Sequence, residues 1–129
     1  MNWTIVALVG AGGALGALAR FAITRALVGI STRQKFPINT LLINLSGSAL
    51  LGAIMAFAQS AEVPLHQNPL LMFAGPGFCG AFTTFSTFAV ETTQLVEASR
   101  VRAGIYALLT LGGAILSFGG AMALTSALL

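Results

Sequence analysis

The stretch Gly75-Pro76-Gly77-Phe78-Cys79-Gly80-Ala81-Phe82-Thr83-Thr84-Phe85-Ser86-Thr87-Phe88 holds the residues of this chain best suited to chemistry. A plain lipid-facing helix would not choose them. Proline removes a backbone donor and crowds the preceding turn, glycine costs about 1 kcal/mol against alanine, and threonine is stiff at χ1. The pattern predicts a helix broken near residues 77–83. Carbonyls freed at such a break can coordinate a small cation. Beyond it, Phe82, Phe85 and Phe88 fall at i, i+3 and i+6, one drifting stripe with Thr84, Ser86 and Thr87 in the gaps. Ring edges are electropositive, so Phe edges and hydroxyl donors can pass a small anion without a fixed cation to trap it. The plainer alternative is that the rings pack and the hydroxyls bond to their own helix carbonyls.

Other polar residues sit where they are costly. Asn44 lies mid-way along an apolar run, where an amide needs a partner and ordinarily acts as glue between helices. Its match to a glycosylation sequon, Asn44-Leu45-Ser46, means nothing in a buried segment. Arg20 is either intramembrane or snorkels to the interface, and Glu91 is either functional or a solvated helix-end residue. Cys79 is the one cysteine, so it makes no intrachain disulfide and lacks companions for a zinc site; His66 and Glu62 have no metal partner at usable spacing.

The elements that position these residues are apolar runs. The 129 residues are 57% hydrophobic and 7% charged, where a soluble chain has about a quarter charged. A run of about 20 residues rises about 30 Å, the thickness of a hydrocarbon core. Four such segments make one domain, residues 1–129: about 3–28, 38–58, 70–96 (the broken one) and 103–129. Short polar loops join them as antiparallel neighbours. Pro37 suits a helix start, and Gly12-x-x-x-Gly16 and Gly119-x-x-x-Ala123 predict close backbone approach between helices. The glycines of the first segment miss a dinucleotide fingerprint because Leu15 stands at its third glycine, and the N-terminus does not resemble a cleavable signal.

Charge is lopsided. The net +3 does not signal nucleic acid, because no basic tract is interleaved with aromatics. Arg20, Arg25, Arg33 and Lys35 lie at or near the first loop and Arg100 and Arg102 in the third, whereas the termini and second loop carry no Lys or Arg. By the positive-inside rule both termini lie outside the cytoplasm.

Gly80-Ala81-Phe82-Thr83-Thr84-Phe85-Ser86-Thr87-Phe88, followed by Glu91, resembles the third-helix signature of the Fluc (CrcB) fluoride channel family. Residues 36–47, Phe36-Pro37-Ile38-Asn39-Thr40 through Asn44 to Gly47, are similar to its second-helix signature, and Gly13-x-x-Gly16-x-x-x-Arg20 to its first. The resemblance implies an all-α membrane protein of four transmembrane helices, paired as an antiparallel dimer with two fluoride pathways and a structural sodium ion on the twofold axis. By motif, Phe85 and Phe88 are the Phe-box residues and Asn44 donates an amide to fluoride. Gly80 and Thr83 offer backbone carbonyls to sodium, and Arg20 makes the vestibule positive. Thr40, Ser86, Thr87, Tyr106, Thr110 and Glu91 belong to the pathway. Three positions depart from the pattern: Asn39 and Ala81 stand where the family usually has glycine, and Ala114 where a hydroxyl of the polar track is expected.

The implied function is passive, fluoride-selective export across the cell membrane, a bacterial inner membrane, that protects against fluoride toxicity. Such a channel needs no enzyme chemistry. The competing reading, a proton-coupled exporter of the small multidrug resistance type, needs an acid in the first helix, and that segment has no Asp or Glu. A non-conducting assembly subunit would leave the hydroxyl-rich break without a reason. A homodimer is the expected pairing, although a six-to-zero Lys/Arg bias suits a chain of fixed orientation with an oppositely oriented sister subunit.

Overall fold

The computed structural model describes residues 3–129, and all regular structure among them is helical. Three helices are long and apolar enough to cross a membrane: α1 (Trp3–Gln34), α2 (Ile38–Ser60) and α6 (Arg100–Leu128). Between α2 and α6 lies a segment in pieces: α3 (Pro69–Met72), a π-helical stretch (Phe73–Cys79), α4 (Gly80–Phe82) and α5 (Phe85–Ala98). This is the interrupted third segment, and a single turn of 3₁₀ helix, Leu65–Gln67, precedes it.

Each boundary has a local cause. α1 continues to Gln34, beyond its apolar run, because helix hydrogen bonding does not stop at the edge of the oil; it ends where Lys35 turns left-handed (φ 51°). The Phe36 N–H then bonds to the Ser31 carbonyl (3.2 Å) and the Lys35 N–H to that of Thr32 (3.3 Å), a Schellman closure. α2 ends the same way on Glu62 (φ 53°). Asn68 caps α3 by accepting from the Leu70 and Leu71 N–H groups, with Pro69 in the first turn. The α5–α6 connection is Ser99 alone, whose hydroxyl caps α6.

The interruption covers the predicted residues 77–83 and extends a little beyond them at both ends. Residues 73–79 are wound as a π-helix around Pro76, a wider turn that relieves the clash between the proline ring and the carbonyl of the preceding turn. The chain leaves the helix only at Thr83 (ψ 160°) and Thr84 (φ −149°, ψ 122°), both extended. One expectation is corrected here. Phe82 does not share a stripe with Phe85 and Phe88, because the break separates them; it is buried before the break and stacks on Phe78 with ring centroids 5.5 Å apart.

Glycine sets the tightest packing. A β-carbon on Gly12 would collide with the Phe73 carbonyl, and one on Gly16 with the Phe78 carbonyl, so α1 lies backbone to backbone against the π-helical stretch. The second expected small-residue contact is not made within the chain: no atom lies within 4 Å of a β-carbon built on Gly119. α6 approaches α2 instead at Gly52, opposite the Phe118 carbonyl. The small-residue pattern could not say which helix would lie against it.

Burial runs opposite to that of a water-soluble protein. Leu15, Leu18, Leu108, Ile115 and Leu116 face outward, whereas Asn39, Thr40, Asn44, Thr84 and Thr110 are buried. Apolar exteriors around polar interiors are what lipid selects.

Candidate functional site

The break is held from across the bundle. Asn44, on α2, accepts the Thr84 N–H at Oδ1 (2.8 Å) and donates from Nδ2 to the Thr84 carbonyl (3.0 Å). The amide thus does for Thr84 what a neighbouring β-strand would do, satisfying both backbone groups of one extended residue. An amide nitrogen carries two hydrogens, so one N–H of Asn44 remains. Asn44 also lines a cavity of about 520 Å³ that reaches Gly80, Phe85, Phe88, Thr110 and Ala114.

This bond rearranges the turn before the break. In an unbroken helix the Thr84 N–H would close on the Gly80 carbonyl; here it is committed to Asn44, which frees the Gly80 oxygen. Gly80 is exposed, with nothing within 4 Å of where a side chain would stand. The Thr83 carbonyl accepts from Arg20 Nη1 at 3.3 Å, so one of its two lone pairs is taken. Both oxygens expected to face a cation are therefore outside helical bonding, with one lone pair of Thr83 taken by Arg20. Among the described residues no cluster of His, Cys, Asp or Glu suits a metal.

Beyond the break, hydroxyls gather at the start of α5. Thr84 Oγ1 accepts the Thr87 N–H (3.2 Å), donates to Thr87 Oγ1 (3.0 Å) and lies 3.3 Å from Ser86 Oγ. The Phe85 ring is 73% exposed and the Phe88 ring 6%, their centroids 5.6 Å apart. Phe88 in turn lies 5.4 Å from the Tyr106 ring, and Phe36 meets Tyr106 edge-on at 5.5 Å.

Glu91 unites residues from three helices. Thr40 donates to its Oε1 (3.0 Å) and Tyr106 to its Oε2 (2.7 Å). One turn along α6, Thr110 is 2% exposed, borders the large cavity and has no hydrogen-bond partner for its hydroxyl among the described residues. Ala114 lies on the same cavity wall and offers no hydroxyl.

Three cavities follow one another through shared walls. The first, of about 520 Å³, meets the second at Thr84. The second, of about 370 Å³, is lined by Arg20, Thr24, Thr40, Ser86 and Thr87, and it meets the third at Asn39 and Glu91. The third, of about 300 Å³, holds Ser31, Lys35 and Gln94 at the basic end of the bundle. The sequence pattern singled out neither Ser31 nor Thr24 nor Gln94, and it noted Asn39 only as a departure. A hydroxyl eight residues before an amide, across a Pro37 turn, was the available signal.

Fold and site define a small multi-pass membrane protein with one mostly apolar and two more polar chambers beside an interrupted helix. A family model described as CrcB-like protein, Camphor Resistance (CrcB), matches residues 7–122, and the chain belongs to that family. Among similar proteins are the Fluoride-specific ion channel FluC of Thermotoga maritima, 42% identical over 78% of this chain and 77% of its own. That of Nitrobacter winogradskyi is 38% identical over 95% and 94%, and the Fluoride-specific ion channel FluC 2 of Moorella thermoacetica 43% identical over 89% and 92%.

Proposed function

We propose that this chain is a subunit of a fluoride channel that lets cytoplasmic fluoride leave the cell passively. The observation that carries the reading is the run of three chambers along the break, the first mostly apolar and the two nearer the basic end lined by hydroxyls, amides and charged side chains. Fluoride is small and tightly hydrated, and a path must replace its water with many weak contacts to release it again. Phe85 and Phe88 border the first chamber, where ring edges can meet an anion, Asn44 keeps one amide hydrogen, and Ser86, Thr87, Thr40, Tyr106 and Thr110 bring hydroxyls. Arg20 and Lys35 make the two chambers nearer the basic end attractive to anions, while Glu91, with both oxygens engaged, orients Thr40 and Tyr106. The chemistry is entirely non-covalent.

A second subunit, antiparallel to the first, is part of the reading. Its support is the exposed Phe85 side chain, the uncovered glycine at position 80 and the open side of the cavity of about 520 Å³. A sodium ion fits the freed Gly80 carbonyl and the second lone pair of Thr83. Two carbonyls are too few for a hard cation, and a twofold axis doubles them. Sodium there supplies fixed positive charge that ties the two breaks together. The same chain inserted both ways is the proposed pairing, and a sister subunit of opposite orientation the alternative. Labelling of both termini on intact cells is expected to give two populations; one population would replace the homodimer by the sister-subunit arrangement.

The central test is efflux from proteoliposomes, fluoride compared with chloride. Fluoride is expected to leave far faster, and Phe85→Ile or Phe88→Ile to slow it about tenfold with the assembly intact, the loss of one interaction of ordinary strength. Equal rates for the two halides would defeat the fluoride reading. Unchanged fluoride flux in both variants would defeat the role given to the rings.

A further inference from the structure

Asn39 sits where two chambers meet. It lines both the chamber holding Arg20 and the one holding Lys35, and Glu91 is the other residue common to both walls. The side chain is 8% exposed and fixed: Ser31 Oγ donates to Asn39 Oδ1 (2.9 Å) and accepts the Asn39 backbone N–H (3.2 Å). Ser31 thereby serves α2 in place of an N-cap side chain, since Pro37 supplies none. With Oδ1 anchored, Nδ2 is left with no protein partner among the described residues. Reversing the amide would still leave one N–H unused, because Ser31 can accept only one of the two.

We propose that Asn39 forms an anion subsite on the threshold between these chambers, donating its side-chain amide to fluoride in transit. The inference rests on the fluoride reading above and adds a donor that the sequence resemblance does not assign. An ion passing from Arg20 towards Lys35 must cross beside the Glu91 carboxylate, which repels it. Arg20, Lys35 and Glu91 are the charged groups lining these two chambers. A neutral N–H held by Ser31 offsets that repulsion without trapping the ion as a cation would.

The test uses purified full-length protein in proteoliposomes, with initial fluoride efflux measured over a range of fluoride concentrations. Asn39→Asp keeps the acceptor for Ser31, loses the donor and adds a carboxylate beside Glu91; it is expected to lower efflux about tenfold or more and raise half-saturating fluoride, from the lost hydrogen bond and the added repulsion together. Asn39→Ala, which adds no charge, is expected to lower efflux about threefold with the same rise. Wild-type rates and half-saturation in a folded Asp variant overturn the subsite; if that variant is not recovered folded, the Ala variant decides by the same criterion. No fluoride flux through the unmodified protein defeats the parent reading and this one together. Normal flux through the unmodified protein beside unaltered variants defeats this one alone.

Discussion

Asn44→Leu is expected to reduce fluoride efflux about a hundredfold and to destabilise the protein by about 3 kcal/mol, the sum of two buried backbone groups left without partners. The leucine fills a similar volume but can neither accept the Thr84 N–H nor donate to its carbonyl. Water cannot easily replace it, because Thr84 and Asn44 are both buried. The Thr84 N–H regains a partner only if the helix mends onto the Gly80 carbonyl, which would offset part of that cost and abolish the break. Asn44→Asp separates the two effects. It still accepts from Thr84 N–H but turns an acceptor towards the Thr84 carbonyl, so flux should fall while part of the stability is kept. Melting in detergent and flux in liposomes read the two quantities independently. An Asn44→Leu protein that conducts normally would mean that the break does not govern passage.

The second large effect belongs to α1. Gly16→Val is expected to cost about 3 kcal/mol or more and to leave little assembled protein, because its β-carbon would strike the Phe78 backbone carbonyl, which cannot rotate away as a side chain can. Separation of α1 from residues 73–79 would also withdraw Arg20 from the Thr83 carbonyl. Gly10→Val is the control: Gly10 is two turns earlier with nothing within 4 Å of a β-carbon, so its variant should melt near the wild-type temperature. Size-exclusion profiles and detergent melting of the pair provide the comparison. Equal stability would mean that α1 is not seated on the π-helical stretch.

Much of this arrangement was legible in one dimension. Three uninterrupted helices follow from apolar runs long enough to span a bilayer, and the interruption follows from Pro76 among glycines and threonines. The place where the chain leaves the helix was not legible, because Asn44, 40 residues away, selects Thr84 as the extended residue. No local propensity distinguishes Thr84 from Thr83 in that respect. For the same reason Phe82 looked like a member of the Phe85 and Phe88 stripe until the break set it on the other side.

Site residues divide similarly. Thr40, Glu91 and Tyr106 were named through resemblance, but their meeting on one carboxylate spans 51 and 15 residues of sequence, and no periodicity reports such a junction. Asn44 was recognised as costly in an apolar run, which is an energetic argument, whereas its partner had to come from three dimensions. Ser31 alone carries no signal in the sequence, because a serine near the end of a long helix is ordinary until a turn folds an amide back onto it. The Gly119-x-x-x-Ala123 pattern shows the opposite failure: a spacing that permits contact does not compel it.

A single residue, Ser99, joins α5 to α6. That leaves no slack between the half-helix carrying Phe85 and Phe88 and its neighbour, so the two are positioned together as one hairpin. α5 is only 14 residues long and carries Glu91, Gln94 and Glu97, so alone it makes a poor bilayer anchor.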